Sequence, residues 1–196
     1  MPTGIAIRDP REQLFDAAER VLLRAGLEAL TSRAVTEEAG VAKGVLHRHF
    51  TDFDAFLADY VQDRARRVAD QDGRLCGRAG VGDLADNLAE ALHELFTPLA
   101  TRIVALIAFR DGVRARLRAA GVVGVPILGE GTRMLAGYLE AERGLGRLLP
   151  GLDVDLMALM LIGTVQMTYA DHGDRPPSLA EVRQVVAGVV GEGSRS

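Results

Sequence analysis

Apolar residues recur along the chain three and four apart, and no stretch alternates apolar and polar residues over the length a strand needs. The pattern predicts an all-α protein of about nine helices. Leu14, Phe15, Ala18, Val21 and Leu22 form the first stripe, and Gly26 stands where a left-handed residue ends that helix. Thr31, whose hydroxyl can accept a free backbone N–H, opens a short second helix containing Val35 and Ala39, which Gly40 stops. After the turn Ala39-Gly40-Val41, a third helix from about Ala42 to His49 carries Leu46 and Phe50 on one side and polar residues on the other. These three short helices share one small core. A fourth starts near Asp52, an acidic cap, and places Phe53, Phe56, Leu57, Tyr60 and Val61 on one stripe.

The four glycines between Gly73 and Gly82 predict a mobile connection. Further helices are expected over Asp83 to Thr97, ended by Pro98, then Leu99 to Ala119, Val125 to Glu142, Asp153 to Ala170 and Ser178 to Val190. The run Leu152 to Ile162 is apolar nearly all round, and Leu179, Val182, Val185, Val186, Val189 and Val190 stripe the last helix. Such surfaces need cover on two sides, which predicts an interface between copies of the chain made by the last two helices. One large internal core is the alternative. The domain boundary is expected after residue 51, with a small domain over 1–51 and a larger helical bundle over 52–196.

With 48% hydrophobic and 26% charged residues and only 7 Pro in 196, the composition excludes a disordered, collagen-like or membrane-spanning chain. The single cysteine, Cys76, cannot close an internal disulfide, and the first residues lack a secretory signal, so a cytoplasmic protein with no membrane contact is expected. A net charge of -4 excludes a generally basic nucleic-acid coat, but the charge is uneven. Residues 1–50 hold 7 Lys+Arg and 7 Asp+Glu, and the rest of the chain carries the whole acidic excess. Ala42 to Phe50 contains Lys43, Arg48, His47 and His49 and no acid, which suits a surface facing phosphate.

Two short helices joined by a tight glycine turn, the second with a cationic acid-free face, are the sequence form of a helix-turn-helix. From about Arg11 to Val61 the chain resembles the amino-terminal DNA-binding domain of the TetR family of transcriptional regulators. The resemblance is carried by Gln13-Leu14-Phe15-Asp16-Ala17-Ala18, Gly26, Thr31, Ala39-Gly40-Val41, Leu46, His49-Phe50 and Leu57. The remainder resembles the family only in length and helical layout. The resemblance implies that Thr31, Ser32 and Arg33 open a helix lying across the phosphate backbone, and that Lys43, Gly44, Val45, His47, Arg48 and His49 sit on the recognition helix. Lys or Arg can donate to guanine O6 and N7, Val45 can meet a thymine methyl group, and Gly44 allows close approach. Arg8 and Arg11 would add phosphate contacts that position without reading sequence.

Several contact positions depart from the family pattern. Ala42 stands where Ser or Thr commonly caps the recognition helix, His47 replaces a phosphate-binding tyrosine, Phe53 a lysine and Thr36 an alanine. Asp52 and Asp54 flank Phe53 and repel phosphate. One missing lysine contact flattens the salt dependence of binding by about one counterion.

Other readings weigh less. On the plainest one, Lys43 and Arg48 only balance Glu37 and Glu38 on a solvated face. His47 and His49 lie two apart on a helix and do not face each other, His93 and His172 are distant in sequence, and Cys76 has no Cys-x-x-Cys partner, so no metal site is expected. Phosphate-loop, nucleophile-elbow and zinc-protease motifs are absent, so neither catalytic residues nor a cofactor are expected. His93, Phe96, Arg102, Phe109, Met134, Tyr138, Met160, Thr164 and Met167 are either core or the lining of a small-molecule cavity, with Gln166 and Tyr169 as further polar partners.

The expected function is that of a ligand-responsive regulator, usually a repressor in this family. It would bind double-stranded palindromic operator DNA as a homodimer through the last two helices and be released by a small-molecule effector, with Asp52 to Arg67 as the lever. A helical small-molecule-binding or scaffold protein with impaired DNA binding is the alternative. Histidine changes charge near neutral pH, so His47 and His49 should grip phosphate better when protonated. Operator affinity is expected to fall between pH 6 and 8 in a titration at fixed salt, and a flat profile would refute this role.

Overall fold

The computed structural model describes residues 9–70, 72–172 and 175–191; Arg8 and the residues after 191 lie outside them. The described chain forms eleven helices: α1 (Pro10–Ala25), α2 (Ser32–Glu38), α3 (Gly44–His49), α4 (Phe53–Ala69), α5 (Asp72–Cys76), α6 (Leu84–Leu95), α7 (Pro98–Phe109), α8 (Asp111–Ala119), α9 (Pro126–Gly144), α10 (Val154–Asp171) and α11 (Leu179–Val190). There is no strand among the described residues. Two more helices are present than the pattern predicts. The expected Leu99–Ala119 helix is broken at Arg110, which is extended (φ -120°, ψ 94°). The short helix α5 occupies the start of the glycine-rich connection. Pro98 opens α7, because a proline's fixed φ and missing N–H are tolerated in a first helical turn.

The chain divides into two compact units, residues 1–62 with 101–123, and 63–100 with 124–196. In the first, α1 packs on α2 and α2 on α3. Leu14, Leu22, Leu30, Val35, Leu46, Phe56, Leu57, Tyr60 and Val61 are fully or almost fully buried there. Phe15 lies 5.6 Å from Phe56 and 6.0 Å from Phe50, and Phe50 meets Phe56 edge-on at 5.0 Å. Arginines of the returning segment tie it to this core: Arg102 donates to the Leu22 carbonyl, Arg110 pairs with Asp54 and Arg116 with Asp52.

In the second unit α9 packs on α10 and α5, and α11 on α6 and α10. A buried polar network joins three places in the sequence. The Tyr138 hydroxyl donates to Glu142 Oε1 (2.5 Å) and accepts from Asn87 Nδ2 (2.9 Å), while Arg147 donates to both Glu142 oxygens (3.1 and 3.2 Å) and to the Gly82 carbonyl (2.6 Å). Burial, and then the bond to Glu142, hold the Tyr138 phenol above its ordinary pKa. Helix α10 is two-sided: Met157, Ala158, Leu161, Ile162, Val165 and Tyr169 are buried, whereas Leu156, Leu159, Met160 and Met167 are each at least half exposed. No single helix among the described residues is long and apolar enough to cross a membrane.

Replacing Tyr138 by Phe leaves Glu142 and the Asn87 amide each short of a partner inside the unit. This substitution is expected to lower unfolding free energy by about 1–3 kcal/mol in urea titrations. A change near zero would show that the network contributes nothing net.

Candidate nucleic-acid interface

Local sequence fixes each edge of the helix-turn-helix. Gly26 takes φ +80°, a left-handed value, and closes α1 with its N–H on the Leu22 carbonyl (3.1 Å). The Thr31 hydroxyl accepts the Ala34 N–H (3.2 Å) and so caps α2. At the other end Gly40, at φ +67°, donates to the Glu37 carbonyl (3.1 Å) and Val41 to that of Thr36 (3.0 Å), the paired bonds of a Schellman ending. The Gln13 side-chain amide donates to the Ala39 carbonyl (2.8 Å) and moors the turn to α1. Thr36 is buried, and its hydroxyl bonds to the Ser32 and Arg33 carbonyls at 3.0 Å.

Helix α3 begins without a side-chain cap, as Ala42 leads one to expect; Lys43 holds the cap position and bonds to no backbone N–H. Leu46 is its buried residue, and Phe50 turns extended after it and joins the aromatic cluster. With those two residues inward, Lys43, Gly44, His47, Arg48 and His49 are exposed and Val45 is half-buried. Thr31 and Arg33 are also exposed, and Ser32 is half-buried. The structure thus brings all nine expected DNA-binding residues onto two adjoining short helices of one unit.

The nearby acids are already engaged. Glu38 pairs with Arg20 (2.8 Å) and Arg24 (2.7 Å), which hold its carboxyl below the ordinary value. Glu37 pairs with Arg33 (2.7 Å). Lys43 and Arg48 have no carboxylate partner among the described residues. The plain reading, in which they balance Glu37 and Glu38, is therefore contradicted by the pairing. Arg33 must share its guanidinium with Glu37 to reach a base. Arg11 is likewise occupied, bonded to Asp59 (2.6 Å) and lying over the Phe50 ring at 4.7 Å.

Sequence reasoning missed Arg110 and Arg116. Arg110 Nε bonds to Asp54 Oδ1 at 2.7 Å and its guanidinium lies 5.0 Å from the Phe53 ring centroid. No local signal announces this, because the partners are 56 residues apart.

The nine residues expected to line a cavity are placed differently. Arg102 and the 84% exposed Phe109 belong to the first unit, the other seven to the second. His93 Nδ1 lies 2.9 Å from the Tyr169 hydroxyl, and Phe96 stacks on the Tyr169 ring at 5.3 Å. Tyr138 is taken up by the Glu142 network, while Met160, Thr164 and Met167 lie on the exposed side of α10. A groove of about 230 Å³ bounded by α5, α6 and α9 is lined by Arg74, Leu75, Arg78, Glu90, Glu94 and Met134, so it shares Met134 with the expected set.

Residues 14–59 match the model of bacterial regulatory proteins of the tetR family. The HTH-type transcriptional regulator PksA of Bacillus subtilis (strain 168) is 33% identical over 79 residues, which is 37% of this chain and 38% of the relative's length. SmeT, the repressor of the Stenotrophomonas maltophilia multidrug efflux pump SmeDEF, has a similar structure (TM-score 0.67, 20% identity, 95% of this chain and 91% of that one). So does the fatty acid degradation regulator FadR of Bacillus halodurans (TM-score 0.70, 20% identity, 92% and 97%). At those identities the structures bear on the fold alone, and they extend the likeness along the helical bundle as well as the reader. Residues 14–59 are thus similar to the helix-turn-helix of the tetR family of bacterial regulatory proteins, and the chain as a whole shares its helical fold with SmeT and FadR.

Proposed function

We propose that the protein is a ligand-responsive repressor that binds a palindromic operator as a homodimer and is released by a small-molecule effector. The observation that carries this is the exposed, acid-free face of α3. Lys43 and Arg48 are cations left over after Glu37 and Glu38 have been paired with Arg33, Arg20 and Arg24. An unpaired cation on a narrow helix has all its donors and its full charge to offer to phosphate or to guanine, whereas a paired one has part of both taken up by its carboxylate. Thr31, Ser32 and Arg33 stand at the start of α2, the helix packed on α3, and would make contacts that position the duplex. Residues 1–51 then form the reader and 52–196 the dimerising, effector-binding part.

The half-exposed Leu156, Leu159, Met160 and Met167 on α10 support a second copy of the chain as partner, because an apolar stripe of that length is unfavourable in water. Two-fold pairing is what a palindromic site requires, with recognition helices about 34–36 Å apart, one DNA turn. SmeT is described as a repressor, which favours repression over activation here.

Retardation of a fragment from the chain's own upstream region tests the proposal. Lys43→Ala and Arg48→Ala are each expected to cost about 1–3 kcal/mol of binding while leaving helical content and dimerisation intact. A wild-type chain that dimerises but retards no such fragment at low salt would overturn it in favour of a helical scaffold with impaired DNA binding.

A further inference from the structure

The start of α4 follows α3 by a few residues, and there the chain places Phe53 between two acids, Asp52 and Asp54. Taken from residues 1–62 alone, this region is acidic, with ten Asp+Glu against seven Lys+Arg. The segment 101–123, packed in the same unit, adds five arginines and a single aspartate and turns the balance positive. Two of those arginines reach the start of α4. Arg116 pairs with Asp52, whose other oxygen caps the Ala55 N–H (2.9 Å). Arg110 spends its Nε on Asp54 and lays its guanidinium over the Phe53 ring, which is itself stacked on Phe56 at 5.6 Å.

We propose that Arg110, seconded by Arg116, is a DNA phosphate contact supplied from the junction of α7 and α8, with Phe53 as the platform that holds its guanidinium where a residue-53 cation would otherwise stand. This rests on the proposed function, that α3 reads DNA. A guanidinium has five N–H donors in a rigid fork, so an edge committed to Asp54 leaves the terminal NH2 groups for a phosphate oxygen. The Arg110 side chain keeps 36% of its surface in water, and among the described residues no further hydrogen-bond acceptor takes those groups. Asp54 neutralises nothing on the recognition helix; its work is to fix Arg110. The aromatic face adds a cation–π contact that orients the fork without consuming a donor. Arg116 acts in the same way at Asp52 and cancels the remaining repulsion.

The competing role is a strut: Arg110 merely binds α8 to α4. The two roles separate in a salt titration of the full chain, using fluorescence anisotropy with a labelled mixed-sequence duplex of about 40 base pairs, since phosphate contacts do not depend on sequence. Arg110→Gln is expected to weaken binding several-fold and to flatten the log–log salt slope by about one for each chain bound. Phe53→Lys added to it restores both, because the cation returns to the same place from α4. Circular dichroism checks each fold. An Arg110→Gln slope equal to wild type, or a loss that Phe53→Lys leaves uncorrected, would each overturn the assignment. A wild-type chain with no affinity for the duplex at any salt would instead remove the proposed DNA-binding function itself, and this contact with it.

Discussion

A helix of six residues does not hold together in water by itself, because nucleation fixes several residues for very few hydrogen bonds. Helix α3 therefore exists, and points where it does, only because Leu46 is buried and Phe50 packs against Phe15 of α1 and Phe56 of α4. Burying two side chains four apart turns the opposite side outward, and that side carries Lys43, His47 and Arg48. The missing side-chain cap at its start makes the dependence stronger. The aromatic cluster of Phe15, Phe50, Phe56 and Tyr60 is thus the element on which presentation of the recognition helix depends. Around it, local devices fix the approach: a left-handed glycine at each end of the loop system and a threonine hydroxyl at the start of α2.

Electrostatic pairing does the sorting. The first unit contains many acids, yet among the described residues none pairs with Lys43 or Arg48: arginines from α1 and α2 take Glu38 and Glu37, and Arg110 and Arg116 take Asp54 and Asp52. Exposed pairs of this kind contribute little to stability. Their consequence is for the potential around α3, which they make less negative. This also explains how a chain of net charge -4 can offer one cationic face.

The reader was legible in the sequence because its signals are local. Thr31 as a cap, Gly26 and Gly40 as stops, and the spacing of Leu14, Leu22, Val35, Leu46 and Phe50 each act within a few residues, and each is found where the pattern puts it. The break at Arg110 was not legible, since the apolar pattern runs on through it and only the backbone, drawn toward Asp54 and Phe53, interrupts it. The residues of the bundle were harder for a related reason. Aromatic and methionine side chains look alike in sequence whether they fill a core, as Tyr138 does, or stand in water, as Met160, Met167 and Phe109 do. Glu142 and Arg147 lie within a few residues of Tyr138, but Asn87 is 51 residues away and gave no sign of joining it, because that link is a tertiary contact.

The central claim is that the outward side of α3 is what meets DNA. Amide hydrogen exchange of the full chain, with and without saturating duplex at low salt, tests it directly. Protection is predicted to concentrate in peptides covering residues 31–54, including Gly44 to His49. Protection confined to other parts of the chain, with 31–54 unchanged while the duplex is bound, would contradict it.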